Sequence, residues 1–258
     1  MHGEQRPFTY VALGDSFTEG LEDVLPDGSY RGWADLVAEQ LARHHGDLHY
    51  ANLAVRGRRI EHVRDDQVPL VEQWRPDLVT VAIGGNDITG RHADIPALGR
   101  EFDGILARLA RTDAHVLAFA GFDCRVMIPL ARTVSDRARE YNTFICASAA
   151  ARGATLVDLW RLPRMYEPQM WAHDRLHMST QGHTLVARAV LAALGVDASG
   201  VPEPPQQADT RSSLPQRLVS DVDWAARDLA PWLLRAARGR SSGDGREPKR
   251  PIPFSVRV

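Results

Sequence analysis

Short apolar runs that alternate with amphipathic stretches fill the first 195 residues of the chain and restrict its fold. Five runs are typical of buried strands, at residues 8–13, 48–53, 77–83, 114–120 and 155–159. Helical spacing occurs at 30–45, 60–74, 95–111, 130–152 and 179–194. The second of these stretches is expected to be either one helix or a helix broken at Pro69. This alternation predicts an α/β fold with a parallel sheet that is covered by helices on both faces.

The character of the chain changes after residue 195. A length of 258 residues suffices for one domain with a full core and an appendage. We therefore predict a domain at 1–195, a proline-containing linker at 196–215 and an amphipathic helix at 216–238. The tail at 239–258 is basic and rich in Gly, Ser and Pro, which predicts disorder.

Charge and hydropathy exclude several classes of protein. The net charge of −2 gives no sign of a nucleic-acid partner. No run approaches the roughly 18 apolar residues of a membrane-spanning helix. No apolar signal segment precedes the first predicted strand, which predicts a cytoplasmic location. The helix at 216–238 suits packing on the domain, docking of a partner or peripheral membrane contact, and the basic tail would favour anionic surfaces.

Residues that could take part in catalysis follow the carboxyl ends of the predicted strands, where such sheets bind ligands. Ser16 follows the first strand, Gly57 the second and Asn86 the third, and His177 lies in the loop after the fifth. One site at the carboxyl edge of the sheet can therefore collect all four residues.

Ser16 stands in the sequence Gly14-Asp15-Ser16, which turns from the first strand into a short helix. A serine in this position projects from a sharp turn, and its own N–H points outward near a positive helix end. Such a serine suits nucleophilic catalysis, and it equally suits a plain helix N-cap.

His177 follows Asp174 by three residues. In a turn, this spacing lets the carboxylate bind the ring Nδ1 and stabilise the imidazolium that forms when Nε2 accepts a proton. The alternative is a loop His–Asp pair with no catalytic role. His183, six residues further along, is expected to be structural.

Two glycine-containing turns supply hydrogen-bond donors. In Gly84-Gly85-Asn86-Asp87, the glycines permit a tight turn and Asn86 offers a side-chain amide to an oxyanion. Gly57 offers a backbone N–H on the same side. Each segment also suits an ordinary turn after a strand.

Together, the four segments resemble the sequence blocks of the SGNH hydrolases, also called the GDSL esterase/lipase family. The matching segments are Gly14-Asp15-Ser16-Phe17, the stretch 52–57, Gly84-Gly85-Asn86-Asp87 and Asp174-Arg175-Leu176-His177. The resemblance implies that residues 1–195 form a hydrolase domain. It implies a flavodoxin-like three-layer sandwich with a five-stranded parallel sheet in the order 2-1-3-4-5.

The same resemblance implies a role for each site residue. Ser16 would be the nucleophile, His177 the general base and acid, and Asp174 the residue that orients His177. The backbone N–H groups of Ser16 and Gly57 and the side chain of Asn86 would form the oxyanion hole. No metal or cofactor is implied, and the substrate would be a small ester.

These residues lead to one principal hypothesis, a serine esterase that forms an acyl-enzyme. The same site would serve a carbohydrate O-deacetylase or an acyltransferase, and the same fold would serve a non-catalytic binding module. The loop at 159–173 carries several large apolar residues. It is expected either to form a wall for the acyl group or to cover the last helix.

Overall fold

A six-stranded sheet organises the chain, in a computed structural model that describes residues 6–126, 131–205, 224, 227 and 241–257. The strands are β1 (Phe8–Gly14), β2 (Leu48–Asn52), β3 (Leu78–Ala82), β4 (His115–Ala120), β5 (Thr155–Asp158) and β6 (Arg250–Val256). Their order is β5-β4-β3-β1-β2-β6. The first five strands are parallel, and they have the predicted order 2-1-3-4-5. The α/β class is confirmed, with one strand more than predicted.

Helices cover both faces of the sheet. They are α1 (Ser16–Glu19), α2 (Gly32–His45), α3 (Ile60–His62), α4 (Val68–Trp74), α5 (Gly85–Ile88), α6 (Ile95–Leu109), α7 (Arg132–Arg152) and α8 (Thr180–Leu194). A π-helical turn at Val63–Gln67 joins α3 to α4. Pro69 does not break this stretch, because it lies in the first turn of α4, where a missing N–H removes no internal hydrogen bond.

Two apolar layers hold the helices on the sheet. On one face, Trp33 of α2 and Val186 of α8 are fully buried against β1 and β4 residues. On the other face, Phe102 of α6 and Ile145 of α7 pack against β1 and β3. Strands β1 to β4 are largely buried on both sides. Because β1 to β5 are parallel, their carboxyl ends lie along one edge of the sandwich.

The tail prediction is wrong for residues 250–256, which form β6 antiparallel to β2. Two prolines and a basic flank obscured this strand, yet prolines are tolerated at a sheet edge, where the missing N–H can face away from the partner. The Nζ of Lys249, the chain's single lysine, lies 3.1 Å from Oδ2 of buried Asp35 and fixes the start of the strand.

Much of the predicted C-terminal region lies outside the described residues. Of the predicted helix at 216–238, the structure describes Trp224 and Arg227, and it describes the predicted linker as far as residue 205. Within the described ranges, no helix combines the length and apolar character needed to cross a membrane.

Candidate active site

The turn from β1 into α1 presents Ser16 at the carboxyl edge of the sheet. Asp15 is the N-cap of α1, because its Oδ1 accepts a hydrogen bond from Phe17 N at 3.1 Å. Ser16 is therefore the first residue of the helix and does not cap it. It is half-buried, and among the described residues neither its Oγ nor its N–H makes a hydrogen bond. Both groups are free to meet a ligand.

Gly57 lies in the turn that follows β2. Its φ of +72° is in the left-handed region, which glycine adopts without strain. Within the described part of the chain, its N–H also has no acceptor. Ser16 and Gly57 thus each offer an unengaged backbone donor.

Asn86 follows β3 and lies in α5. Its Nδ2 donates to Asp15 Oδ2 at 3.0 Å and to the Arg58 carbonyl at 2.9 Å. An amide nitrogen carries two hydrogens, so both donors of Asn86 are engaged. The residue therefore ties the carboxyl next to Ser16 to the loop that follows Gly57.

Asp174 and His177 are directly bonded in the loop before α8. His177 Nδ1 lies 2.5 Å from Asp174 Oδ2, while Asp174 Oδ1 accepts from the backbone N–H groups of Leu176 and His177 at 3.0 Å. Burial alone would raise the pKa of the Asp174 carboxyl, but the His177 hydrogen bond and charge and the two backbone bonds bring it below its ordinary value. Asp174 is therefore held as a carboxylate, and its bond to Nδ1 fixes the orientation of the His177 ring.

His177 and Ser16 belong to the same edge of the molecule. Burial raises the pKa of Asp15, the residue next to Ser16, and the charge of His177 is close enough to oppose this shift. Among the described residues, no hydrogen bond joins Ser16 Oγ to the His177 ring. Catalytic hydrogen bonds are often long or poorly aligned before substrate binds.

Glu19 and Arg56 form a link that the sequence did not reveal. Glu19 accepts from the backbone N–H of Arg56 at 2.6 Å and from its Nε at 3.0 Å. Each of the two side chains is 11% exposed. The helix that begins with Ser16 is thus joined to the residue that precedes Gly57.

Trp224 is a second residue that sequence reasoning missed at this site. Its Nε1 donates to the Asp174 carbonyl at 2.7 Å, and the Arg175 guanidinium lies 5.0 Å from its ring centroid. The predicted helix at 216–238 contained Trp224, but no local pattern indicated where it would pack.

Two other expectations concern packing. His183 is fully buried: Nδ1 accepts from Trp33 N at 3.3 Å and Nε2 donates to the Leu21 carbonyl at 2.9 Å, which confirms a structural role. In the 159–173 loop, Met165 and Met170 are fully buried in the same apolar layer as α8. This part of the loop covers the last helix.

Two carboxyl groups lie beside the site, on the buried residue Asp15 and on the half-buried residue Asp87. Burial raises the pKa of Asp15 to about 7, although the Phe17 N–H and the charge of His177 act in the opposite direction. Burial likewise raises the pKa of Asp87 to about 6, against a backbone hydrogen bond from Ile60. Such shifts are concentrated at functional sites, and they destabilise the folded state at neutral pH.

We expect Asp15→Asn to gain stability relative to the wild type as pH rises from about 4 to about 7, by up to about 4 kcal/mol. A raised folded-state pKa stabilises the fold below the unfolded pKa, and this contribution is lost as pH rises through the folded pKa. Urea unfolding at several pH values measures the difference. Burial lowers the pKa of His183 to about 4, which makes the stability of the fold rise with pH. This contribution is the same in variant and wild type, so it cancels in their difference.

Asp87→Asn is the matched control, and its relative gain should end near pH 6. A difference between Asp15→Asn and the wild type that does not change with pH would show that Asp15 is ionised normally in the folded state.

A metal centre needs several ligands grouped in one place. Within the part of the chain that the structure describes, no three His, Cys, Asp or Glu side chains are grouped in a way that would hold a metal ion.

The chain is similar to known hydrolases in sequence and in fold. Residues 12–185 match the model of the GDSL-like lipase/acylhydrolase family. No curated protein matches the chain.

Solved structures share the fold. LAE5, an α/β hydrolase enzyme from the metagenome of Lake Arreo in Spain, is 25% identical, with a TM-score of 0.61 over 73% of this chain and 95% of that one. The acetylxylan esterase Axe2 from Geobacillus stearothermophilus is 16% identical, with a TM-score of 0.61 over 74% and 95%. TesA is 22% identical, with a TM-score of 0.60 over 72% and 97%.

Proposed function

Because the chain belongs to the GDSL-like lipase/acylhydrolase family and is an ester hydrolase of the SGNH type, we propose that it cleaves carboxylic esters through an acyl-enzyme on Ser16. The observation that carries the proposal is the 2.5 Å bond between Asp174 Oδ2 and His177 Nδ1. This bond leaves Nε2 of the ring to act as the base.

In the first step, Ser16 Oγ attacks the ester carbonyl while His177 Nε2 takes the serine proton. Asp174 stabilises the imidazolium, which then gives the proton to the departing alcohol. In the second step, His177 Nε2 takes a proton from water while the water oxygen bonds to the acyl carbon. The bond between that carbon and Ser16 Oγ then breaks, the imidazolium returns the proton to Oγ, and the acid leaves.

The negative oxygen of both tetrahedral intermediates needs donors that are already in place. The unengaged N–H groups of Ser16 and Gly57 meet this need. Asn86 is proposed as the third donor. Both of its amide hydrogens are engaged in the free protein, so this role requires it to release either Asp15 or the Arg58 carbonyl.

A fluorophosphonate probe tests the proposal on the wild-type chain. We expect one label per chain, on the peptide that contains Ser16, together with turnover of p-nitrophenyl esters. A folded protein that neither takes the label nor turns over acetyl, butyryl or octanoyl esters would favour a binding module. A label on any other residue would remove Ser16 as the nucleophile.

Product analysis separates the related activities. Turnover restricted to acetyl groups on oligosaccharides would indicate an O-deacetylase. Transfer of the acyl group to an added alcohol, in preference to water, would indicate an acyltransferase.

A further inference from the structure

The C-terminal segment 241–257 lies outside the region that matches the family, which ends at residue 185, yet it packs against the candidate active site. We propose that the turn at 241–244 is a positioning element that holds the Gly57 N–H in the orientation needed for the oxyanion. This inference rests on the function proposed above.

The turn is fixed by its own hydrogen bonds. Ser241 N donates to Asp244 Oδ2 at 3.0 Å, and Gly243 N donates to Ser241 Oγ at 3.1 Å. Arg246 N closes the turn on the Gly243 carbonyl at 3.1 Å. A turn braced in this way presents a defined surface to its neighbour.

That surface lies against the peptide group between Arg56 and Gly57. A Cβ built on Gly243 would lie 1.9 Å from the Arg56 carbonyl oxygen, and one built on Gly57 would lie 2.0 Å from Ser241 Oγ. The Arg56 carbonyl and the Gly57 N–H belong to one planar peptide group. Contact with the carbonyl therefore restricts the direction of the N–H.

The preceding peptide group is held by Glu19. Its carboxylate accepts from Arg56 N at 2.6 Å and also binds the Arg56 guanidinium, which stacks 4.9 Å from the Tyr30 ring centroid. One brace thus comes from the helix of Ser16 and the other from the C-terminal turn. Together they restrict the peptide groups on both sides of Arg56.

Lys249 anchors the stretch of chain that follows the turn. Its Nζ lies 3.1 Å from Asp35 Oδ2 and donates to the carbonyls of Tyr30 and Arg31. The next residue, Gly32, touches Gly20 at the end of the Ser16 helix, since a Cβ built on Gly32 would lie 2.3 Å from Gly20 Cα. The segment is therefore attached to the same loop system as the proposed nucleophile.

Gly243→Ala tests the inference in the full-length chain. The new methyl group would clash with the Arg56 carbonyl oxygen, so either the Arg56–Gly57 peptide or the turn itself must move. Gly243 has no positive φ, so alanine adds no backbone strain of its own. We expect kcat for a p-nitrophenyl ester to fall about 10-fold or more, with KM changed by less than about threefold. The affinity for butylboronic acid, whose serine adduct is tetrahedral and anionic, should fall by the same factor as kcat.

Gly104→Ala is the matched control, because a Cβ on Gly104 meets nothing within 4 Å. It should leave both readouts unchanged. Ser241→Ala introduces no clash and removes the oxygen that packs on Gly57, so it decides the question if Gly243→Ala does not fold. We expect it to lower kcat and boronate affinity by about threefold.

Gly243→Ala with wild-type kcat and boronate affinity would overturn the inference, even if its melting temperature falls. Wild-type values for Ser241→Ala, where it alone folds, would overturn it too. An inactive wild type would instead overturn the proposed function, so the two failures are distinguishable.

Discussion

Replacing Ser16 with alanine should lower kcat for a p-nitrophenyl ester by at least about 10³-fold and abolish fluorophosphonate labelling. Alanine removes the only atom of the side chain that can attack a carbonyl. The N–H donors of Ser16 and Gly57 remain in the variant, so activity above the uncatalysed rate should persist.

The structure makes this variant informative, because Ser16 is not the helix cap. Asp15 provides the cap, and Ser16 Oγ has no hydrogen-bond partner among the described residues. We therefore expect Ser16→Ala to change the free energy of unfolding by less than about 0.5 kcal/mol. A serine with a structural role would show the opposite pattern, with lost stability and retained activity.

The measurement pairs steady-state kinetics with urea unfolding of the same preparations. Ser199→Ala is the control, because Ser199 is exposed and bonds only to Asp197 among the described residues. It should match the wild type in kcat. If Ser16→Ala retains the activity of the purified wild type, another residue is the nucleophile.

The sequence predicted those features that depend on local pattern. Strands β1 to β4 are largely buried on both faces, and apolar runs of this kind are visible in residue order alone. The contact between Asp174 and His177 follows from a spacing of three residues in a turn. Such features need no knowledge of distant residues.

The features that sequence reasoning missed depend on contacts between distant parts of the chain. β6 contains two prolines and is a strand because the free edge of β2 pairs with it, about 200 residues away in sequence. The Glu19–Arg56 bond and the Asn86–Asp15 bond join segments that are far apart in sequence and that follow different strands of the sheet. No short window of sequence carries that information.

Replacing His177 with alanine should lower kcat by about 10³-fold or more, for a reason distinct from that of Ser16. Without the ring, no base accepts the serine proton and no acid protonates the leaving alcohol. Asp174 would keep its bond to the Leu176 N–H, so the loop should keep its conformation. His92→Ala, at an exposed histidine, is the control and should match the wild type.

The decisive form of this experiment is the double variant Ser16→Ala/His177→Ala. Two residues that act in one proton transfer are not additive, so the double variant should be about as active as either single variant. Independent roles would instead multiply the two losses and give a decrease of about 10⁶-fold or more. Multiplied losses would separate His177 from the nucleophile, and the chemistry proposed for Ser16 would then need a different base.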